Sequence, residues 1–138
     1  MIELADTSAW TNRHRAPEVH VDFARRLDRD EIAVCDAVKL ELLWSQRDAS
    51  GIAALRSELD ALVDAPIGQR EWRRALDVFE LLAARGPMHH REIGALDLLI
   101  AAAAELSGWR VLHYDRHFEV IADITGQPVR AIAPLGSL

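Results

Sequence analysis

The sequence predicts an α/β fold, a mostly parallel sheet carrying helices on both faces. Three observations point there. Short apolar runs alternate with longer helical patterns along the whole chain, the order that right-handed β-α-β crossovers produce. The stretch GALDLLIAAAAELSG, Gly94 to Gly108, is strongly helical in propensity and almost entirely apolar, as a central helix buried on most sides should be. At 138 residues, half of them hydrophobic and 28% charged, the chain has the size and composition of one unit with a full core, so residues 1–138 are expected to form a single domain.

The elements follow in order. Ile2 to Ala5 reads as a first strand. RAPEVHVDFARRLDRD is a helix with Pro17 in its first turn and Val19, Phe23 and Leu27 spaced four apart. EIAVC is a second strand, after which Asp36 is placed to cap a helix through AVKLELLWSQR. Ile52, Leu55, Leu59 and Leu62 trace one face of a helix expected to end near Ala65-Pro66. Trp72, Leu76, Phe79 and Leu82 do the same for a longer helix that Gly86-Pro87 closes. After the central helix, WRVLHYD is a strand, RHFEVIADITG a short helix and VRAIA a last strand, with PLGSL expected to fray.

No segment approaches the ~20 apolar residues of a membrane span, and the N-terminus lacks the layout of a signal peptide. A cytoplasmic protein without membrane attachment is expected. Cys35 is the sole cysteine, so no internal disulfide can form, and a buried strand thiol is the expectation for it. The net charge of −6 argues against a non-specific polyanion binder. Fifteen arginines against one lysine suit phosphate recognition, although a GC-rich genome produces the same bias.

Carboxylates interrupt apolar stretches at four places. In an open parallel sheet, ligands bind beyond the carboxyl ends of the strands, where connections diverge. Asp6 ends the first strand and Asp115 ends RVLHYD, so both are expected in that crevice. Asp97 lies in the first turns of the apolar helix, and Glu41 lies one turn into the helix after the second strand. Singly, each has a local explanation as a cap, turn or solvated residue. Together they need a cation or protons, because two carboxylates about 4 Å apart repel by roughly 4 kcal/mol at an effective dielectric of ~20. Oxygen ligands select hard ions, Mg²⁺ or Mn²⁺, and such sites suit phosphoryl chemistry. Thr7 and Ser8 are placed to orient ligands or touch a phosphate.

LADTSAW, VKLELL, ALDLLIAAAA and VLHYDRHFEVIA occur in an order and spacing that resembles the PIN-domain nucleases, and within them the VapC toxins of type II toxin-antitoxin pairs. The resemblance covers essentially the whole chain and implies a three-layer α/β/α PIN-like domain. It implies that Asp6, Glu41, Asp97 and Asp115 form an acidic Mg²⁺ or Mn²⁺ pocket, with Ser8 beside it. It further implies a metal-dependent endoribonuclease, cutting RNA with a metal-activated water. A homodimer and a cognate VapB-type antitoxin that silences the enzyme are implied as well. Two places depart from the family pattern: DRHF puts His117 where many relatives carry a second acid, which bears on whether one or two ions bind, and His113 and Tyr114 occupy the stretch where a threonine is typical before Asp115.

Two rival readings compete with this one. A haloacid-dehalogenase-like phosphatase needs a second Asp two residues after the first, where this chain has Ser8; both it and a receiver domain need a late lysine, and Lys39 lies in the wrong segment. The other rival is a PIN-fold binding module that is weak or inactive in catalysis, favoured by His117 and the negative charge. Trp10, next to the pocket residues, is the expected base-stacking side chain, while Trp44 and Trp72 are expected in the core or a dimer seam. Arg13 and Arg15, on the loop after the first strand, and then Arg116, are the expected phosphate contacts. The pair His89-His90 is expected to be exposed.

Overall fold

Five short strands, all parallel, make one sheet in the order β3-β2-β1-β4-β5. They are β1 (Glu3–Ala5), β2 (Ile32–Val34), β3 (Val63–Asp64), β4 (Arg110–His113) and β5 (Val129–Ala131). The chain is seen in a computed structural model that describes residues 1–86 and 89–138, the side chains of His89 and His90 excepted. The expectation for that histidine pair therefore lies outside the described residues. The helices are α1 (Thr7–Asn12), α2 (Pro17–Asp28), α3 (Asp36–Trp44), α4 (Ala49–Asp60), α5 (Gln69–Ala84), α6 (Ala95–Ser107) and α7 (Arg116–Thr125). Sheet and covering helices make the three-layer α/β/α arrangement that the alternation of patterns implies.

Apolar residues at successive strand positions pack against both helical layers, because both faces of the sheet are covered. Leu4, Ala5, Ala33, Val34, Val111 and Leu112 are all buried. Helix α6 packs Leu98 to Ala104 into the core without one exposed residue, and alanines at successive positions let neighbouring elements approach its backbone. Gly108 closes it in the left-handed region, φ 75°, where a side chain would be strained, and the Trp109 N–H returns to the Ala104 carbonyl at 2.9 Å. No described helix is long and apolar enough to cross a membrane.

Strand order fixes where a ligand can enter. From β1 the chain steps outward to β2 and β3, then crosses back to β4 and β5 on the other side. Connections thus diverge between β1 and β4, whose register pairs Ala5 with Leu112. Beyond the carboxyl ends of those two strands lies the crevice of a doubly wound sheet.

At the opposite end of the sheet, Glu3 is fully buried. Arg130 grips it through two nitrogens at 2.8 and 3.0 Å, Arg110 Nε lies at 2.5 Å, and Arg26 also pairs with it. Burial alone would raise this carboxyl, but hydrogen bonds from Arg130, Arg110 and Arg26 hold it down at about 2. One carboxylate so ties β1, α2, β4 and β5 together.

Several local expectations are corrected. A helix, α1, begins at Thr7, where a loop is expected from the sequence. Asp36 is the first residue inside α3 and Cys35 is its cap position, without a side-chain capping bond. Helix α4 ends at Asp60, leaving room for the two-residue strand β3. The C-terminal PLGSL is tied rather than frayed: Leu138 N–H donates to Tyr114 Oη at 2.8 Å, and Ser137 N–H to the Pro134 carbonyl at 2.9 Å.

Candidate active site

Asp6 leaves the end of β1 and turns the chain into α1. Its Oδ2 accepts the Ser8 N–H at 2.9 Å and the Ser8 hydroxyl at 2.6 Å, so the two residues after the strand fold back onto the carboxylate. Ser8 Oγ accepts in turn from the Tyr114 N–H at 2.8 Å, and Asp6 N–H donates to the Leu112 carbonyl at 2.9 Å. The ends of β1 and β4 are thereby stitched together. Asp6 is 3% exposed, and its other oxygen, Oδ1, is buried without a hydrogen-bond partner among the described residues.

The other acids come to the same place. Glu41, on α3, accepts the Thr7 hydroxyl at 2.7 Å. Asp97 is the third residue of α6, within the turn where free amides favour an anion. Asp115 caps α7, accepting the His117 N–H at 2.9 Å. His117 Nδ1 then lies 3.3 Å from Asp97 Oδ2 and 3.5 Å from Asp115 Oδ1. Asp97, Asp115 and His117 offer ligand atoms all within 4.8 Å of one another.

Electrostatics records the crowding. Burial pushes Asp6 up to about 7 against the pull of its Ser8 hydrogen bonds, and the charges of Asp97 and Glu41 add to the rise. Asp97 is raised as well, first by burial and then by Asp115 and Glu41, with His117 opposing. Such carboxyls are short of positive charge. A buried oxygen lacking a donor, two carboxyls raised by burial and by one another, and a donor set of oxygens with one imidazole together suit a divalent cation. The residues present fit that ion.

Support for Asp115 comes from a side chain outside the expected set. His113 is fully buried; its Nδ1 accepts the Asp115 N–H at 3.1 Å, which leaves Nε2 as the donor to Glu119 Oε1 at 3.1 Å. Burial lowers its pKa and keeps it neutral, the form this pairing needs. A histidine two residues before a strand-end Asp is the only signal of this role in the sequence.

Other expected contacts fall elsewhere. Trp10 is 7% exposed and packs edge-to-face on Phe23 at 5.0 Å, so it is a core residue and not a surface for stacking bases. It lies on α1 and also lines the cleft that Arg13 borders. Arg13 donates to the Trp10 carbonyl and lies 5.1 Å over its ring. It lines a separate cleft of about 490 Å³ with Leu27, Leu42, Leu55 and Leu59, so the structure does not offer it to a phosphate in the acidic crevice. Arg15 is exposed and donates to Asn12 at 3.3 Å, on a 3₁₀ turn and not a loop. Arg116 is exposed at the start of α7, beside Asp115. Trp44 and Trp72 are 83% and 55% exposed, which removes them from the core.

Comparison with known proteins agrees with this fold. Residues 4–124 match the PIN domain family. Ribonuclease VapC18 of Mycobacterium tuberculosis is 45% identical over 138 residues, covering all of both chains. Ribonuclease VapC51 of the same organism is 37% identical over 135 residues, 98% of this chain and 96% of its own. Among solved structures, VapBC2 from Rickettsia felis, bound to a DNA fragment from its promoter, aligns with a TM-score of 0.72 at 16% identity, covering 95% of this chain and 98% of that one. DNA-bound VapBC from Salmonella typhimurium aligns with the same score at 18% identity, over 96% and 100%. At those identities the structures speak for the fold.

Proposed function

The chain belongs to the PIN-domain family, among its VapC members, and from that premise we propose that it is a divalent-metal-dependent endoribonuclease acting as the toxin of a VapBC-type pair. The observation that carries the chemistry is the meeting of Asp6, Glu41, Asp97 and Asp115 at the divergence of β1 and β4, with Asp6 Oδ1 buried and unpartnered among the described residues.

Asp97 and Asp115, with Asp6 behind them, would hold Mg²⁺ or Mn²⁺, and Glu41 completes the acidic wall. When bound, such an ion lowers the pKa of a water and neutralises phosphate oxygens. The chain's own part is placement. Ser8 and Thr7 fix the carboxylates of Asp6 and Glu41, the α7 cap fixes Asp115, and His113 fixes the backbone behind it. With its carboxylates ionised, the crevice repels an RNA backbone, so phosphate enters only where cationic charge balances them.

A VapB-type antitoxin as partner is supported by the VapBC complexes among the structural neighbours, and a cytoplasmic homodimer formed from a single 1–138 domain completes the reading. The rival of an inactive binding module has one observation in its favour, His117 in place of an acid. Incubating the purified protein with single-stranded RNA and Mg²⁺ or Mn²⁺ separates the two. Cleavage is expected, stopped by EDTA and lost in Asp97→Asn that keeps its circular dichroism. Cleavage persisting in the folded Asp97→Asn protein would overturn the assignment.

A further inference from the structure

His117 is the one nitrogen donor of the candidate metal trio, and it stands apart from the oxygen chemistry around it. Its Nδ1 lies 3.3 Å from Asp97 Oδ2 and 3.5 Å from Asp115 Oδ1. Neighbouring ligand atoms about an octahedral ion with bonds of ~2.1 Å stand roughly 3 Å apart, so donors that share a hydrogen bond without the ion lie within a few tenths of an ångström of the spacing they would have around one. The residue is held in place at the start of α7, because its backbone N–H is bound by the Asp115 carboxylate at 2.9 Å. An independent sign that this crevice awaits a cation is the buried Asp6 Oδ1 with no donor among the described residues.

We propose that the His117 imidazole is a direct metal ligand, and that it biases the site toward later first-row ions such as Co²⁺ relative to Mg²⁺. This rests on the reading above that the crevice takes a divalent ion. The chemistry is ligand softness: Mg²⁺ prefers carboxylate and water, whereas imidazole strengthens binding of transition ions along the Irving–Williams order. A carboxylate at position 117 would serve Mg²⁺ better than an imidazole does. The competing role is a hydrogen-bond donor that only steadies Asp97, and a glutamine can perform that role without being a comparable ligand.

The test uses the full chain and calorimetric titration with Co²⁺ and with Mg²⁺, together with the visible absorption of the Co²⁺ complex. Wild type is expected to bind Co²⁺ more tightly than Mg²⁺. His117→Ala and His117→Gln should each lose about tenfold or more in Co²⁺ affinity, with little change for Mg²⁺ and a shifted Co²⁺ band. His117→Asp should move the preference back toward Mg²⁺. An unchanged Co²⁺ to Mg²⁺ ratio and band in both folded His117→Ala and His117→Gln overturns the ligand role while leaving the metal site standing. If wild type binds neither ion at millimolar concentration, the divalent-metal reading falls with it.

Discussion

Replacing Asp6 by asparagine removes one buried charge and keeps the oxygen that caps α1. In the metal-free protein the Asp6 carboxyl is moved from 3.8 to about 7, mostly by burial. A folded-state pKa above the unfolded one means that the stabilising contribution is fully present below about 4 and is lost as pH rises through about 7. At ~1.36 kcal/mol for each pH unit between the two values, the ionised side chain costs the fold up to about 4 kcal/mol above pH 7, and about 3 kcal/mol of this difference develops between pH 5 and pH 8. Against that gain, the asparagine amide would put an N–H where Asp6 Oδ1 has no described partner, a cost of ~1–3 kcal/mol that does not vary with pH. Urea unfolding of both proteins in EDTA at pH 5, 6, 7 and 8 reads the effect: groups remote from Asp6 cancel in the difference, and what remains is the titration of Asp6 together with the Asp97 and Glu41 charges coupled to it. The stability of Asp6→Asn relative to wild type should rise by about 3 kcal/mol across that range. A difference that stays flat with pH would refute a buried, ionising Asp6.

Glu3→Gln should cost about 3–5 kcal/mol, since three arginines then lose their common carboxylate. In wild type, Glu3 titrates near 2 in place of 4.5, so its contribution of about 3 kcal/mol is present above pH ~4.5 and lost as pH falls through about 2; acid unfolding followed by circular dichroism reads it. Trp10→Ala should destabilise by roughly 3–5 kcal/mol as a core truncation. In conditions where it stays folded, its RNA affinity should equal that of wild type, measured by fluorescence anisotropy, and a selective loss of affinity would return Trp10 to the substrate surface. At a hundred times its Kd, Mg²⁺ or Mn²⁺ should stabilise the fold by about 2.7 kcal/mol, a rise in Tm of roughly 5–10 °C. A thermal melt of Asp97→Asn should show little of that rise.

The parts of the fold set by long-range alternation are readable in the chain. Leu4 and Ala5 of β1, all of β2, and Val111 and Leu112 of β4 are apolar because a parallel sheet is covered twice, and α6 is apolar all round from Leu98 to Ala104 because that stretch is buried all round. Chain order then places Asp6 and Asp115 at the ends of adjacent strands, so the crevice follows from topology alone. What stays hidden is short or depends on facing. TSAWTN is too brief for helical periodicity to show, and its hydroxyls suit a turn equally well; only the bonds of Ser8 to Asp6 and to the Tyr114 amide decide between them. β3 is two residues long and defined by its neighbour β2 rather than by its own composition. The environments of the tryptophans escape pattern for a related reason. Helix α3 is apolar around much of its circumference, so pattern alone does not choose which face packs, and Trp44 emerges into solvent while Trp10 turns inward. His113 belongs to no periodic pattern, and its role is visible only from the bonds it makes.

Carboxylates distant in the chain are held to share one divalent ion, and the proposed chemistry depends on it. Crystals soaked in Mn²⁺ and measured at the manganese absorption edge test it most directly. The expected result is an anomalous peak in the crevice between β1 and β4, ligated by Asp97 and Asp115 with His117 in the coordination sphere. A crevice left without a peak, or manganese bound only at some other face, would contradict it.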